Sequence, residues 1–430
     1  MHTMPTDQRN ELQRGRLISL VERLRNLDSD YWRAKLSDVD PRSVAVGDMT
    51  ALPFTTKAEL RDAYPFGMLA VPLSETVRIH ASSGTQGKPT IVAYTAADID
   101  LFSEVVARSI EAAGGVPSDV IQVAYGYGLF TGGLGLHYGG ERLGATVIPA
   151  SGGNPGLQVE LLANLGVSGL CCTPSFAMLL AERAQADGLL DRIHLRYAIC
   201  GAEPWSDPFR NNLEKAWGGI DACDIYGLSE VIGPGVAMEC TAGKGALHVF
   251  DDVFYPEVVV PGSDEAAAPG ELGELVLTTL TREASPVIRY RTGDITAFVD
   301  DACPCGWTYR RIRRFTGRVD DMLIIRGVNV YPSAVESVLM QEARVGSQYA
   351  LVVDTRGTMK ELEIHCELAS GNEPEERDRV ASRLADECAR VLRIRVEVFV
   401  GPPGSIPRQE IGKAKRIFHR TDTEDPFPRP

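Results

Sequence analysis

The chain has 430 residues, of which 44% are hydrophobic and 24% are charged. At about 150 residues per domain this length predicts two or three domains, and the composition excludes a mostly disordered chain. The 58 acidic residues outnumber the 44 basic ones, so the net charge is −14. A protein this acidic is unsuited to nucleic acid or an anionic membrane as a partner.

The sequence also bears on the compartment. It has no apolar run of about 18 residues, the length of a membrane-spanning helix, and its first residues lack the apolar core of a secretion signal. Its nine cysteines are scattered along the chain. That distribution is typical of reduced thiols or a metal site rather than of a disulfide framework. We therefore expect a cytoplasmic protein.

Short apolar runs alternate with amphipathic segments between about residues 98 and 226. The amphipathic segments predict helices with apolar side chains on one face. This alternation is typical of a parallel sheet covered by helices. The predicted strands are Val120–Tyr125, Ala145–Ala150, Gly169–Cys172, Tyr197–Cys200 and Ala222–Tyr226, and the predicted helices are Leu157–Leu165, Phe176–Ala186 and Pro208–Trp217.

The pattern changes after Gly233. Strand-like segments joined by Gly- and Pro-rich turns predict a β-rich subdomain over about residues 233–319. We therefore predict an α/β protein with a large N-terminal domain, residues 1–320, and a small α+β C-terminal domain, residues 321–430. The predicted elements are strands at Val253–Val260, Gly273–Leu280, Val287–Val299 and Met322–Arg326, a helix at Ser333–Gln341, a hairpin at Tyr349–Leu368, a helix at Glu375–Leu392 and a strand at Val396–Val400, before a disordered tail at Thr421–Pro430.

A loop rich in glycine and hydroxyl groups follows a predicted strand at Thr76–His80. Small residues let backbone N–H groups approach an anion closely, and a lysine adds positive charge, so the loop predicts a phosphate site. Its glycine spacing and the proline after the lysine do not match a standard P-loop. An ordinary flexible turn is the alternative. The candidate residues are Ser82, Ser83, Gly84, Thr85, Gly87 and Lys88.

Two further motifs are suited to a nucleotide. The segment Tyr226–Glu230 directly follows a predicted strand, where open α/β sheets bind ligands. Its tyrosine suits a flat base, Ser229 a phosphate and Glu230 a Mg²⁺ ion. Asp294 follows a turn glycine and suits the two hydroxyls of a ribose. In each case an ordinary polar turn is the alternative.

Two motifs lie at and beyond the predicted domain boundary. Gly317–Asp321, followed by Ile325–Asn329, lies where the C-terminal domain begins. Gly412–Arg416 is a short basic run near the C-terminus. A basic run is usually a solvated face, so neither motif by itself assigns a function.

Four cysteine and histidine side chains form two ligand pairs in the β-rich subdomain, Cys240 with His248 and Cys303 with Cys305. Three thiolates and one imidazole are a typical closed, structural zinc set. The alternative is four unrelated buried residues, since free cysteine is often part of a core. The other cysteines lie in strand- or helix-like runs and are predicted to be core: Cys171, Cys172, Cys200, Cys223, Cys366 and Cys388.

The order and spacing of these motifs resemble the adenylate-forming superfamily, and in particular the phenylacetate-CoA ligase family. Members of that family carry a similar Cys/His arrangement. One departure is Gln86, where the family usually has Thr, so we expect weaker binding of the nucleotide. The resemblance covers nearly the whole chain and includes Tyr31–Arg33, Leu52–Lys57, Arg78–Gly84, Tyr125–His137, Gly201–Trp205 and Arg326–Pro332.

The resemblance implies a role for each motif. The loop at residues 82–88 would grip the phosphates of ATP, and Glu230 would hold Mg²⁺. Lys413 would be the catalytic lysine, carried in by a mobile C-terminal domain that turns on Asp321 and presents Gly327 to the path of CoA. The remaining nucleotide contacts would come from Gly201, Ala202, Glu203, Pro204, Tyr226, Gly227, Ser229, Asp294 and Arg318.

Aromatic side chains precede Gly132 and Gly133, which we predict to form a Gly-rich turn. Tyr125, Tyr127 and Phe130 suit a flat, apolar acyl group. The resemblance implies that this segment lines an aryl-acid pocket in which Tyr125 stacks on the ring. Core packing is the alternative for each aromatic side chain.

The predicted function is ATP- and Mg²⁺-dependent activation of phenylacetate or a substituted benzoate to an acyl-adenylate, followed by transfer to the thiol of CoA. An alternative acceptor is the phosphopantetheine of a carrier protein, which presents the same thiol. A nucleotide-binding pseudo-enzyme is a more distant alternative, disfavoured by the presence of Lys413 and Glu230. The resemblance also implies a homodimer.

Overall fold

A computed structural model of the protein describes residues 1–82, 89–319, 321–326, 328–356, 360–410, 412–421 and 423–427. The chain begins with helices that pack on one another through side chains at helical spacing, including Leu17, Leu20 and Leu24. None of the helices described is both long and apolar enough to cross a membrane. The first elements are α1 (Thr6–Arg25), α2 (Asp30–Lys35), α3 (Lys57–Asp62), β1 (Arg78–Ala81) and β2 (Ile91–Tyr94), with short 3₁₀ turns at Pro41–Ser43 and Leu73–Glu75.

Strands and helices then alternate as predicted. Four of the crossovers keep neighbouring strands parallel, which places their carboxyl ends at one edge of the sheet. The elements are α4 (Ala96–Ala112), β3 (Val120–Val123), α5 (Gly132–Leu143), β4 (Thr146–Ile148), α6 (Pro155–Asn164), β5 (Gly169–Cys172), α7 (Pro174–Ala186), a 3₁₀ turn at Leu190–Arg192, β6 (Tyr197–Gly201), α8 (Asp207–Ala216) and β7 (Asp221–Leu228).

The turn predicted at Gly132 and Gly133 is wrong, because both residues open helix α5. A Cβ atom at Gly133 would lie 2.6 Å from the carbonyl oxygen of Gly126, and one at Gly139 would lie 2.4 Å from a side-chain carbon of Val106. The glycines therefore serve close packing of this helix against the preceding loop and α4, rather than a change of chain direction.

The strands expected in a β-rich subdomain divide between two sheets. Within the described residues, β8, β9, β14 and β13 extend the central sheet, giving the nine-stranded order β13-β14-β9-β8-β7-β6-β5-β3-β4, while β10-β11-β12-β15 form a separate antiparallel sheet. These elements are β8 (Gly233–Glu239), β9 (Ala246–Val249), β10 (Phe254–Val259), β11 (Gly273–Thr279), β12 (Tyr290–Thr296), β13 (Phe298–Val299), β14 (Arg311–Arg313) and β15 (Gly317–Arg318).

The single strand predicted at Val287–Val299 is also wrong. Arg289 adopts a left-handed backbone with φ +43°, which a regular strand does not tolerate. The extended chain therefore begins only at Tyr290, and it is divided into the strands β12 and β13, which join different sheets.

The C-terminal unit contains the helix, hairpin, helix and strand that the sequence predicts. Its sheet has the order β20-β19-β18-β21, so a last strand that the sequence analysis missed completes one edge. The elements are β16 (Leu323–Ile325), β17 (Val328–Val330), α9 (Pro332–Gln341), β18 (Val345–Asp354), β19 (Glu361–Leu368), a 3₁₀ turn at Pro374–Glu376, α10 (Arg377–Leu392), β20 (Glu397–Gly401) and β21 (Ile417–Arg420).

The described residues of the tail pack on this sheet, so the predicted disorder is wrong for residues 421 and 423–427. Arg420 is fully buried, and its Nε donates to Asp425 at 2.8 Å. The ring of Phe427 lies 5.0 Å from that of Phe418. A buried guanidinium needs anionic partners, and the returning tail supplies one of them.

The C-terminal unit packs directly on the α/β part of the chain. Residues of α8 such as Phe209 and Leu213 share one core cluster with Val335 and Leu339 of α9. Polar contacts cross the same seam, including one from the backbone N–H of Ser206 to Glu336 at 2.7 Å. The structure thus confirms an α/β fold with a large N-terminal and a smaller C-terminal domain.

Candidate active site

The polar side chains singled out in the sequence gather where strands β3, β5, β6 and β7 end. Tyr125, just after β3, donates from its hydroxyl to the carbonyl oxygen of Cys172 at 2.6 Å and accepts from the backbone N–H of Gly201 at 2.9 Å. Its side chain is buried, which raises the pKa of the phenol well above its usual value. Tyr125 therefore ties together the ends of three strands.

A second tyrosine joins the nine-stranded sheet to the sheet β10-β11-β12-β15. The hydroxyl of Tyr226, on β7, donates to Asp294 Oδ2 at 2.6 Å, and Arg318 Nη1 donates to Asp294 Oδ1 at 3.0 Å. Asp294 and Arg318 are register partners on β12 and β15. Burial and the neighbouring carboxylate raise the pKa of Tyr226. Three predicted residues from distant segments are thus brought into one hydrogen-bonded group.

The sequence analysis missed Phe315. Its ring lies 4.1 Å from that of Tyr226, tilted by 32°, so it covers one face of the tyrosine. The signal was weak, because a single aromatic side chain within a basic run has no periodicity to identify it. The usable clue was its position in the sequence between Asp294 and Arg318, two of the predicted nucleotide contacts.

Glu230 lies just beyond β7 and is only 6% exposed. Lys57 Nζ, on a half-exposed side chain at the start of α3, lies 3.9 Å from Glu230 Oε1. The buried Arg282 donates from Nη1 to the carbonyl oxygen of Glu230 at 3.2 Å. Lys57 was quoted within a motif without a role, yet among the described residues it is the cation within 4 Å of this carboxylate.

Two small residues beside Glu230 keep the backbone close at this point. A Cβ atom at Gly227 would lie 1.8 Å from the carbonyl oxygen of Gly233, so no larger residue fits. The buried hydroxyl of Ser229 lies 3.3 Å from that of Thr131, at the start of α5. The end of β7 therefore lies against the aromatic segment that precedes α5.

Most of the predicted phosphate loop lies outside the described residues. Ser82, the residue after β1, donates its backbone N–H to the carbonyl oxygen of Thr90 at 3.0 Å. The predictions that lie outside the described residues are those for Ser83, Gly84, Thr85, Gln86, Gly87 and Lys88, and for Gly327 in the C-terminal unit.

The segment that carries Lys413 reaches the same edge of the sheet. We call residues 402–416, between β20 and β21, the lysine loop. The backbone N–H of Gly153 donates to the carbonyl oxygen of Glu410 at 3.0 Å, and that of Ala414 donates to Glu203 Oε1. Lys413 itself is exposed. Asp321, the predicted hinge, donates its backbone N–H to the carbonyl oxygen of Arg318 at 3.3 Å.

Glu203 belongs to the segment Gly201–Pro204, which follows β6. Ala202 has a left-handed backbone, with φ +70°, and so turns the chain sharply after the strand. The Glu203 carboxylate also accepts the hydroxyl of Ser175 at 2.9 Å. This predicted adenine contact is therefore already bonded to two other segments.

The aromatic segment contains side chains in two different environments. Tyr127 and Phe130 are partly exposed, whereas Tyr125 is core. The hydroxyl of Tyr127 lies 3.3 Å from His137 Nδ1, and His137 Nε2 lies 3.2 Å from Glu141. Burial raises the pKa of Tyr127. His137 lies inside α5.

Four potential metal ligands meet beside β9. The ligand atoms of Cys240, His248, Cys303 and Cys305 all lie within 4.8 Å of one another. Cys240 Sγ is 3.4 Å from Cys303 Sγ, and Cys305 Sγ is 3.4 Å from His248 Nε2. Burial lowers the pKa of His248 to about 4, so its ring is neutral at pH 7. The remaining cysteines are all buried.

Comparison with known proteins places the site in a family. Residues 30–279 match the family model of the AMP-binding enzyme, and residues 327–421 match that of the AMP-binding enzyme C-terminal domain. A phenylacetate-coenzyme A ligase of Thermus thermophilus is 44% identical, covering 97% of this chain and 98% of its own. That of Escherichia coli is 48% identical, covering 87% of this chain and 85% of its own.

A solved ligase resembles this structure differently in its two states. A 2-hydroxyisobutyryl-CoA ligase in the postadenylation state, in complex with 2-HIB-AMP, is 27% identical and overlays with a TM-score of 0.92, covering 98% of this chain and 92% of its own. In the thioesterification state, with 2-HIB-AMP and CoA, it is 28% identical over the same shares and the TM-score is 0.71. The chain as a whole therefore overlays better on the postadenylation state than on the thioesterification state.

Proposed function

Because the chain belongs to the phenylacetate-CoA ligase family of adenylate-forming enzymes, and is thus an AMP-forming acid–thiol ligase, we propose that its substrate is phenylacetate or a substituted benzoate. The acid carboxylate attacks the α-phosphorus of ATP and displaces pyrophosphate, which leaves an acyl-adenylate. The CoA thiol then attacks the acyl carbon, and AMP leaves. The observation that carries the proposal is the meeting of the Tyr226, Asp294 and Arg318 group with the Lys413 segment at one sheet edge.

In this proposal the nucleotide lies along the ends of β6 and β7. The adenine packs against Tyr226 on the face that Phe315 leaves open, beside Gly201–Pro204. The ribose hydroxyls donate to Asp294, whose carboxylate is held in place by Tyr226 and Arg318. Ser229 and the loop at residues 82–88 contact the phosphates, for which small and hydroxylated side chains are suited.

The donor set beside β7 fits a magnesium ion. Glu230 is a buried carboxylate whose nearest described cation, Lys57, is 3.9 Å away, and hard oxygen ligands are those that Mg²⁺ prefers. When bound, the ion would offset negative charge on the phosphate oxygens. Glu230 would hold it, and Lys57 would balance the same carboxylate before the nucleotide arrives.

Lys413 supplies the movable positive charge. Attack by one anion on another is opposed by electrostatics, so a cation aimed at the phosphate accelerates adenylation. The lysine loop reaches the sheet edge through backbone contacts on both sides of Lys413. Asp321 and Gly327 take part in the later rearrangement, the first as a hinge and the second beside the CoA path.

The acyl group binds beside the start of α5. Tyr127 and Phe130 are the partly exposed aromatic side chains there, and they suit the flat ring of an aryl acid. Tyr125 supports this pocket from the core, since its hydroxyl is hydrogen-bonded to the ends of β5 and β6. The expected stacking of Tyr125 on the substrate ring stays a prediction.

The residues of the Cys/His cluster fit a structural zinc ion. Three sulfur atoms and a neutral imidazole form a closed tetrahedral set with no position left for substrate. Close packing of the loop on the cluster supports the proposal, because a Cβ atom at Gly243 would lie 2.4 Å from Cys303 Sγ. Zinc would cross-link the loop before β14 to β8 and β9.

The names of the relatives favour CoA over a carrier protein as the acceptor. The presence of Lys413 and Glu230 in the sequence disfavours a pseudo-enzyme. A homodimer and a cytoplasmic location stay predictions. No described feature of the chain adds to either.

The test is ATP–pyrophosphate exchange with a panel of arylacetic and benzoic acids, followed by AMP release with CoA or a holo-carrier protein. We expect exchange with phenylacetate or a close analogue, and faster AMP release when CoA is added. Aliphatic acids serve as the control. Exchange with aliphatic acids alone would contradict the proposed substrate, and acceleration by the carrier but not by CoA would contradict the acceptor.

A further inference from the structure

Glu203 has a role that adenine binding does not explain. We propose that Glu203 is a positioning residue that docks the lysine loop onto the α/β domain for adenylation and releases it for transfer to the thiol. The inference rests on the proposed function, because it takes Lys413 to act on ATP. It concerns the control of that lysine by a carboxylate on another domain.

The anchoring of Glu203 is rigid. Its Oε2 accepts the backbone N–H of Ser175 at 3.3 Å, and its Oε1 accepts the Ser175 hydroxyl at 2.9 Å. Ser175 lies in the first turn of α7, where unpaired N–H groups and the helix dipole favour an anion. The carboxylate is thus fixed on the α/β domain before the C-terminal unit arrives.

The same carboxylate also accepts a hydrogen bond from the lysine loop. Glu203 Oε1 also accepts the backbone N–H of Ala414, the residue after Lys413. On the other side of Lys413, the carbonyl oxygen of Glu410 accepts the backbone N–H of Gly153 at 3.0 Å. The two contacts bracket the lysine, so they set where its side chain leaves the loop.

The docking contact depends on the orientation of the C-terminal unit. Glu203 and Ser175 belong to the α/β domain, whereas Ala414 belongs to the C-terminal unit, in a chain that overlays better on the postadenylation state than on the thioesterification state. A rotation of that unit toward the thioesterification arrangement separates Ala414 from Glu203. The hydrogen bond therefore exists in only one of the two half-reactions.

The expected size of the effect follows from the chemistry of the bond. A hydrogen bond to an ionised acceptor is about twice as strong as a neutral one. The substitution Glu203→Gln keeps the shape and one acceptor oxygen but removes the charge. We expect the docked population of the lysine loop to fall about tenfold, and the rate of adenylate formation to fall with it.

The experiment compares the wild-type enzyme with Glu203→Gln in three measurements. They are hydrogen exchange of the backbone amides at residues 412–416, the rate of ATP–pyrophosphate exchange, and the rate of transfer from a supplied aryl-adenylate to CoA. We expect about tenfold faster amide exchange, about tenfold slower pyrophosphate exchange, and transfer within about twofold of the wild type.

Two further variants give the interpretation its controls. Glu182→Gln changes another carboxylate at the same seam, which accepts the hydroxyl of Ser347 at 2.8 Å and forms a partly exposed ion pair with Arg408 of the lysine loop at 3.6 Å. It should leave both half-reactions within about twofold. In a Lys413→Ala background, Glu203→Gln should have almost no added effect, because residues that act through one another are not additive.

Three results would overturn the inference. One is equal protection of the backbone amides at residues 412–416 from hydrogen exchange in the wild type and in Glu203→Gln. That result would overturn the inference whatever the activity of the variant. Another is a raised dissociation constant for ATP with an unchanged docked population, which would return Glu203 to adenine binding. The third is an equal loss of rate in both half-reactions. If Glu203→Gln is unstable, Ser175→Ala replaces it and must show the loss selective for adenylation that is expected of Glu203→Gln. Failure of the proposed function is separate: the wild type would then show no aryl-dependent pyrophosphate exchange.

Discussion

The nucleotide side of the site and the lysine side are held in different ways. Tyr226, Asp294 and Arg318 are joined by side-chain hydrogen bonds of 2.6 and 3.0 Å between two sheets of the N-terminal domain. Lys413 lies on an exposed loop that meets this domain through hydrogen bonds of two backbone groups and a partly exposed ion pair between Arg408 and Glu182. A prebuilt surface suits the binding of ATP, whereas a detachable cation suits chemistry that must switch off before the thiol enters.

The largest expected effect comes from removing the side chain of Lys413, the detachable cation. Lys413→Ala should lower the rate of adenylate formation by about 10²–10³-fold, because a preorganised cation at developing charge contributes on that scale. The dissociation constant for ATP should change by less than about threefold, since the nucleotide surface is intact. Single-turnover adenylation and equilibrium binding of ATP measure the two quantities.

Lys415→Ala is the matched control, because Lys415 lies in the same loop and its Nζ is 4.8 Å from the ring centre of Phe418. It should leave the adenylation rate within about threefold. If both substitutions were equally harmful, the loss would reflect the loop's structure and the distinction between the two sides would fail.

A smaller effect, of the opposite kind, is expected from the prebuilt part. Asp294→Asn leaves Arg318 and Tyr226 without the anion between them. The KM for ATP should rise by about 10- to 100-fold, as expected for loss of charge-assisted bonds at a buried site. The rate at saturating ATP should fall much less. Steady-state kinetics with ATP varied would check this.

Asp300→Asn, on the exposed turn after β13, is the control for the loss of one negative charge. It should leave the KM for ATP unchanged. A fall in the saturated rate of Asp294→Asn, with no change in KM, would mean that this carboxylate belongs to the catalytic side instead.

The smallest effect on catalysis is expected from the Cys/His cluster, which stabilises the region that carries Tyr226, Asp294 and Arg318 without contacting the nucleotide. Cys303 and Cys305 lie in the loop that leads to β14, Phe315 and Arg318. Cys240→Ser should abolish stoichiometric zinc and lower the unfolding temperature by roughly 10 °C, taking ~4 kcal/mol at 2–4 °C per kcal/mol. The folded fraction should keep its adenylation rate within about threefold.

Metal analysis and thermal unfolding check this prediction. Cys223→Ser, at a buried cysteine outside the cluster, is the control and should keep its zinc. A wild-type protein that holds no zinc after purification in metal-replete medium would contradict the structural assignment.

Local pattern predicted much of the molecule. The alternation of apolar and amphipathic runs gave the strands and helices of the α/β part, because side-chain periodicity depends on neighbours three or four residues away. It failed at Val287–Val299, where a left-handed Arg289 interrupts the strand. It also failed at β21, whose partner β18 lies some 66 residues earlier in the register Leu351 to Ile417.

The candidate site divides in the same manner. Residue types at fixed spacing were enough to single out Tyr226, Asp294, Lys413 and the Cys/His pairs. Spacing gave only a weak clue to Phe315, which contacts Tyr226 across 89 positions, and none to Lys57 beside Glu230. Those contacts depend on how separate segments turn back toward the sheet edge.

By itself the sequence determined the family, the fold class and the order of the motifs, since each is written in local residue patterns. Only the tertiary structure decided which predicted residues meet, and in which conformation. Glu203 was predicted to lie beside adenine, yet its carboxylate accepts the N–H of Ala414, which is 211 positions away. The physical reason is that such a bond exists only when two domains adopt one mutual orientation, a property of the chain's path and not of any segment within it.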